Sequence, residues 1–389
     1  GFIGTDGLDA PDPPTAVTPT AGNAQVSVAF TAPTDAGTSA ITGFVATTDD
    51  GNGATGSSSP ITITSLTNGT AYTARVYAIN AYGTSAPSDA SSSFSPAAPR
   101  ALFFGVGADR KTNIDVFVIE STGNASDFGD LITAVNQGTS VSSSTRGLSV
   151  GGSTSGGDVN TIEYVTIAAT GSGTDFGDLT ASRLGFGGGS NSTRGVFFGG
   201  YSDNAGGVRY NTIDYVTIAS VGNATDFGDM SASFNSNGAT ASPTRAVQAG
   251  GYDGSNRNQI EYVTIANTGN TTDFGDLTVA RASLVGCSSE TRGLFAFTGN
   301  ANIIDYITIA SAGNATDFGD LSVSRYDAAA TTNNTRAVFG GGKTTSGNNN
   351  SNVIDYVTIA STGDASDFGD LTASGQLQGA CGSDHGGLQ

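Results

Sequence analysis

The chain has 389 residues, enough for two domains that each bury a core, and its 34 acidic against 15 basic residues give a net charge of −19. That balance excludes nucleic acid as a partner, because neutralising phosphates takes stripes of Lys and Arg and the sequence has none. A single histidine, His385, excludes His-cluster zinc or copper centres and leaves a triad or His acid–base pair only this residue to draw on.

Residues 1–10 (GFIGTDGLDA) read as a Gly-rich lead-in without an initiator Met, implying a processed or trimmed start. No charged n-region or membrane-length apolar run follows. Residues 11–97 predict an all-β sandwich with strands in PPTAVTPTAG, QVSVAFTAP, ITGFVATT, PITITSL and TAYTARVYAINAYG, and a last strand ending near Phe94. Leu66 to Tyr72, followed by Ala74, Val76 and Ala78 alternating inward, resembles the tyrosine corner of a fibronectin type III domain. Phe30 stands where that family usually has Trp. Ser91 to Pro99 is a Pro-containing, extended linker.

From residue 98 to 389 one phrase recurs, clearest from Thr335 to Leu371. Its D-F-G-D tetrapeptide places Phe128, Phe176, Phe227, Phe274, Phe318 and Phe368 at intervals of 48, 51, 47, 44 and 50 residues. A second ruler, Arg100, Arg146, Arg194, Arg245, Arg292 and Arg336, keeps the same step. Units this small cannot bury an apolar face alone, so they must stack as a propeller or solenoid. Each reads as four strands: a short one before Thr-Arg, one from the Arg to a Gly pair, one through I-(D/E)-Y-V-T-I, and one starting at D-F-G-D. The Gly pairs (Gly151-Gly152, Gly199-Gly200, Gly250-Gly251, Gly340-Gly341), the Tyr-bearing strand, the aromatic opening the fourth strand, and Arg183, Arg281 and Arg325 resemble kelch repeats. That resemblance implies a six-bladed β-propeller after the sandwich. Phe in place of the usual Trp, Phe234 in place of Arg, and FAFTG without a Gly pair depart from the kelch pattern.

Gly379 to Leu388 aligns with Val285 to Leu294, pairing Cys381 with Cys287 and Gly386 with Arg292, so the tail reads as the first strand of a further unit and can complete the first unit, which lacks that strand, and close the ring. Gly386-Gly387-Leu388 would compete with Arg100-Ala101-Leu102, and the tail is expected to peel away there. The two Cys fall two blades apart, which argues against a disulfide. Eight N-x-S/T sequons include Asn124, Asn223, Asn270 and Asn314 in one recurring turn. They are glycan acceptors in a eukaryotic secreted protein, or simply turn formers.

Recurrence marks scaffold. The repeated carboxylates, Asp226 and Asp229 among them, are spaced like paired calcium ligands. Hydrogen bonds to turn amides and pairing with the recurrent Arg explain them more economically. Tyr164, Tyr215, Tyr262, Tyr306, Tyr356 and the D-F-G-D Phe read as packing. No cofactor, metal or catalytic residue is assigned. Binding is better sought in the loop before the Tyr strand, which varies from NAN (300–302) to YSDNAGGVRYNT (201–212). There Tyr201, Asp203, Arg209, Tyr210, Tyr252, Asp253, Arg257 and Asn258 gather the groups that stack on a sugar ring and bond its hydroxyls.

The phrase TRGVFFGG…IDYVTIAS…GNATDFGDL, joined to a fibronectin type III domain, resembles virion structural and tail-fibre proteins of bacteriophages of aquatic bacteria, cyanobacteria in particular. The resemblance implies a non-enzymatic virion surface protein in a homo-oligomeric or larger assembly with other virion proteins. Its sandwich would attach or space, and its propeller would display a rim to host-surface polysaccharide, without membrane insertion. A ligand-free decoration subunit and a secreted bacterial adhesin or fibre subunit fit the same residues.

Overall fold

The computed structural model describes residues 7–298, 301–346 and 349–388. Parts of the lead-in and of the loops at 300–302 and 343–352 therefore lie outside the described residues. Among those described, every regular element is a β-strand, and no helix is present to cross a membrane. The chain divides into two compact units, Gly1–Ala98 and Pro99–Gln389.

In the first unit, Thr15–Gly22, Gln25–Thr31 and Ile61–Thr64 form one antiparallel sheet, and Gly53–Gly56, Ile41–Thr48, Ala74–Asn80 and Gly83–Thr84 form the other. Val26, Val28, Ile63, Ala74, Val76 and Ala78 alternate inward and are fully buried, as a period of two requires. The Phe30 and Phe44 rings pack 4.8 Å apart. Tyr72 is buried, and its hydroxyl accepts the Thr67 N–H at 3.1 Å, closing the expected corner.

The last strand of this unit is different from the expectation. Ser85, Ser88 and Ser91 fall every third residue, and their amides bond the carbonyls of Ala78, Val76 and Ala74, which fall every second residue. The Ser Oγ atoms accept the Ala78, Val76 and Ala74 N–H groups at 2.9 Å, replacing backbone carbonyls that the mismatched step moves out of reach. Ser88→Ala is therefore expected to leave the Val76 amide unpaired and to cost about 1–3 kcal/mol, read by urea unfolding. An unchanged midpoint would mean that the hydroxyl is replaceable.

The second unit holds six four-stranded antiparallel sheets. Sheets 2 to 6 run in chain order, each beginning with a short inner strand: Thr139–Ser142, Gly187–Ser190, Gly238–Ala241, Val285–Ser288 and Ala329–Thr332. Sheet 1 takes its inner strand from the other end of the chain, where Gly379–Gly382 pairs antiparallel with Ala101 to Phe104. The Gly pair in sheet 6 is Gly341-Gly342, not Gly340-Gly341. Gly340 is still strand, paired with Ile354, whereas Gly341 and Gly342 take φ of 66° and 89°.

Three recurring devices join successive sheets. The residues of each apolar cluster come from two sheets, and one such cluster joins Phe103 and Phe117 of sheet 1 to Val338, Ile354 and Phe368 of sheet 6. The opening Arg of each strand donates to carbonyls of the next sheet, Arg146 to Ile218 and Ala219, for instance, and Arg336 to Ile119 and Glu120. Five of these Arg also lie over the Tyr of their own sheet, at 4.4–4.8 Å. Finally, each G-N-A turn, or its variant, rests on the preceding D-F-G-D: Gly269 N–H on the Phe227 carbonyl at 2.7 Å, and Gly123 N–H on Phe368 at 2.8 Å. The turn side chains Asn124, Asn223, Asn270 and Asn314 accept the second Asp amide of that motif through Oδ1. Turn formation thus accounts for these four sequon residues.

The recurrent Arg183, Arg281 and Arg325 do not pair with D-F-G-D. They are buried against Asp214, Asp305 and Asp355 of the following sheet's Tyr strand, at 2.9, 2.8 and 2.6 Å. Where the Arg is missing the acid finds other donors. Glu163 takes the Ile132 and Thr133 amides, and Asp115 takes the Thr372 amide and hydroxyl.

Candidate functional site

Tyr201–Ser202 and Val208–Arg209 fold back on each other as a hairpin above sheet 3. Gly206 and Gly207 at its tip have φ of 80° and 85°, a region open mainly to Gly. The tip is held by Asp158 of sheet 2, whose carboxylate accepts the Asp203 and Asn204 amides at 2.7 and 3.2 Å. The Arg209 guanidinium lies between two rings, 5.7 Å from the centre of Tyr201 and 5.1 Å from that of Tyr252. Its Nε donates to Asn235 at 3.0 Å, and Asn235 exchanges backbone bonds with Tyr252. The Tyr201 phenol is raised above its ordinary pKa, first by its hydrogen bond to Asp203 and then by that carboxylate's charge.

Of the eight residues expected at a binding rim, Tyr201, Asp203, Arg209 and Tyr252 thus come together. The others do not join them. Asp253 and Arg257 satisfy each other within one turn, Nε to Oδ2 at 2.8 Å. Tyr210 is half-buried and interacts with the buried Arg183, and Asn258 is exposed in the strand Arg257–Thr264.

Beside the hairpin opens a well of about 380 Å3. Tyr201 and Asp203 stand in its wall, and the inner strands of all six sheets contribute Thr139, Gly187, Gly238, Val285, Ala329 and Gly379. Small residues on those strands keep it open. Gln137, Gly185, Ser236, Ser283 and Asp327, each two residues before an inner strand, have φ between 51° and 59°. Their amides and carbonyls link sheet to sheet, as Gly185 N–H to Gln137 and Ser236 N–H to Gly185 do. Asp327 accepts from Gln376 at 2.6 Å, and burial pushes its carboxyl above the usual range. Sequence reasoning passed over these connections because their lengths hardly vary. Their signal was the change of residue type, Gln, Gly, Ser, Ser, Asp, at one fixed offset.

At the far end of the inner strands a smaller cavity of about 50 Å3 is bordered by His385. After Gly382 the tail does not peel away. It turns inward, with Gly386 N–H on the Ser288 carbonyl at 2.8 Å and Gly386 to Leu388 buried. His385 Nδ1 accepts the Gly387 N–H at 3.1 Å, which leaves Nε2 to donate to the Ser142 carbonyl, also 3.1 Å away. Both nitrogens are committed to packing in the neutral form, and burial lowers the pKa to about 4. A lowered His pKa makes the unfolded state bind more protons, so this contribution is complete above pH 6.5 and falls away between pH 6.5 and about 4. Wild type minus His385→Gln should show that loss as a difference in unfolding midpoint, at most about 3 kcal/mol. A flat difference curve would place the ring in solvent.

Both cysteines are buried free thiols, with Cys381 pushed up to about 12 by burial. Among the described residues no three His, Cys, Asp or Glu side chains cluster to hold a metal ion. Residues 9–94 match the fibronectin type III domain, so the first unit is a domain of that kind. No curated protein matches the chain.

Proposed function

We propose that the chain is a non-enzymatic virion surface protein, a tail fibre or appendage, whose kelch-like repeats close into a six-bladed β-propeller and bind host-surface glycan through the loop face. The fibronectin type III domain attaches or spaces it among other virion proteins in a homo-oligomeric or larger assembly. Closure is supported by the bonds from Phe368 to Gly123, from Arg336 to Ile119 and Glu120, and from Gly379–Gly382 to Ala101 to Phe104. The observation that carries the binding reading is the gathering of Tyr201, Asp203, Arg209 and Tyr252 beside the well. Aromatic faces and fixed polar groups at one concavity suit carbohydrate.

The test is a glycan array together with a pull-down of aquatic bacteria, cyanobacteria included. Binding in either is expected, and blank results in both sink the proposal. A ligand-free decoration subunit is the second reading, favoured by the mutual satisfaction of Asp253 and Arg257. It requires the loop face to remain unoccupied in the assembled particle exposed to its host.

A further inference from the structure

We infer that the well takes the terminal residue of a glycan chain and selects a neutral sugar over an acidic one, an inference that rests on the glycan reading above. Gln378 lines the well and is only 4% exposed. Its Nε2 donates to Ser149 Oγ, while its Oε1 is buried and has no hydrogen-bond partner among the described residues. Ser140 Oγ, in the same lining, is also buried without a partner. Buried polar atoms are nearly always satisfied, so two unpaired ones on residues of one cavity wall mark a place where a small shift of those side chains would let something else supply the partners. A sugar hydroxyl both donates and accepts, which meets an amide oxygen and a serine hydroxyl equally well.

The charge of the lining narrows the choice. Its charged side chains are Asp203 and Asp327, while the cations nearest them, Arg209 beside Tyr201 and Lys343 near Asp327, are not part of the lining. A uronic or sialic acid would bring a carboxylate next to two carboxyls in a wall that itself carries no cation, which selects against it. Phe186 and Leu284 in the wall offer apolar surface to the C–H face of a neutral ring.

Depth decides between a chain end and a chain middle. The far end of the inner strands is filled by the tail around His385, so the well has a floor and cannot be threaded. A volume of about 380 Å3 falls near the bottom of the range for small-molecule sites, roughly 300–1,000 Å3.

Free D-glucose and D-glucuronate, which differ only in a carboxylate, are the probes, followed by ligand-observed NMR with the full chain at neutral pH alongside the glycan array. Glucose is expected to bind at least tenfold more tightly than glucuronate. Gln378→Leu should weaken glucose about tenfold, the loss expected for one hydrogen bond. Asp327→Asn keeps the side-chain shape and should bring glucuronate closer to glucose, so a folding defect in the first variant does not decide the matter. Glucuronate bound as well as glucose overturns the inference, as does glucose binding that neither variant changes. An array signal without monosaccharide binding also overturns it, while leaving glycan recognition to the loops. A blank array and pull-down with glucose still bound overturns the host-glycan reading and leaves the pocket.

Discussion

Replacing Asp355 by Ala is expected to destabilise the second unit by about 3–5 kcal/mol, the range for removing one member of a buried ion pair. The Arg325 side chain is fully buried, and its guanidinium meets Asp355 Oδ2 at 2.6 Å. The same guanidinium donates to the Val353 carbonyl at 2.6 Å and to Gly341 at 3.1 Å. Burial pushes the Arg325 pKa down, and the Asp355 charge is the largest effect pulling it back. Without that carboxylate a buried cation would sit in the sheet interface without its counter-ion, although the Gly341 and Val353 carbonyls still accept from it. Urea unfolding checks the figure, with the slope unchanged if the loss is confined to the native state. A cost below about 1 kcal/mol would mean that water reaches the site. Exchanging both residues for apolar ones, Arg325→Met with Asp355→Leu, should recover most of the loss, because no charge is then left unpaired. The chain already makes half of this exchange, replacing the Arg and giving the remaining acid other donors. Sheet 3 carries buried Phe234 where its neighbours carry Arg, and Glu261 of sheet 4 turns to Gln248 and Gln259.

The same pairs show which features a sequence displays and which it hides. Period and strand order were legible because D-F-G-D and the opening Arg repeat at a nearly fixed step, and the Phe carbonyl and second Asp amide of that motif, like the opening Arg, join one sheet to the next. The partners of the buried Arg were hidden. The nearest acids along the chain are those of D-F-G-D, but the true partner lies about thirty residues on, in the following sheet, where folding rather than spacing brings it. The Ser-every-third segment escaped for a related reason: its period matches neither strand nor helix, and only the strand beside it explains the hydroxyls. At the site, Tyr201 and Tyr252 stood out as aromatics in variable loops. Asn235, which ties Arg209 between them, and Gln378, which lines the well, sit in connections of constant length and looked like scaffold. The tail was legible as a strand completing the first unit, which it does over Gly379–Gly382. Beyond it an alignment with Arg292 to Leu294 implied competition with Arg100 to Leu102, whereas the chain turns inward, with Gly386 to Leu388 buried and His385 bonded to the Ser142 carbonyl.

Gly369→Ala and Gly228→Ala are expected to cost the same, roughly 2–4 kcal/mol each, by combining backbone strain with forced overpacking. Both glycines are the third residue of D-F-G-D and both have φ of 149°, where a side chain is strained. A Cβ at Gly228 would come within 2.4 Å of the Gly269 carbonyl oxygen, and a Cβ at Gly369 within 2.4 Å of that of Gly123. Backbone on the other side of the contact cannot rotate away as a flexible side chain would. The two positions differ only in which joint they serve. Gly228 lies between sheets 3 and 4, neighbours along the chain, whereas Gly369 lies between sheet 6 and sheet 1, which only a closed arrangement brings together. Equal losses in thermal or urea unfolding therefore support the proposed ring. Gly369→Ala close to neutral beside a costly Gly228→Ala would leave the last sheet without a neighbour. The inner strands would then enclose no common well, and the case for a sugar held on the axis would fall with them.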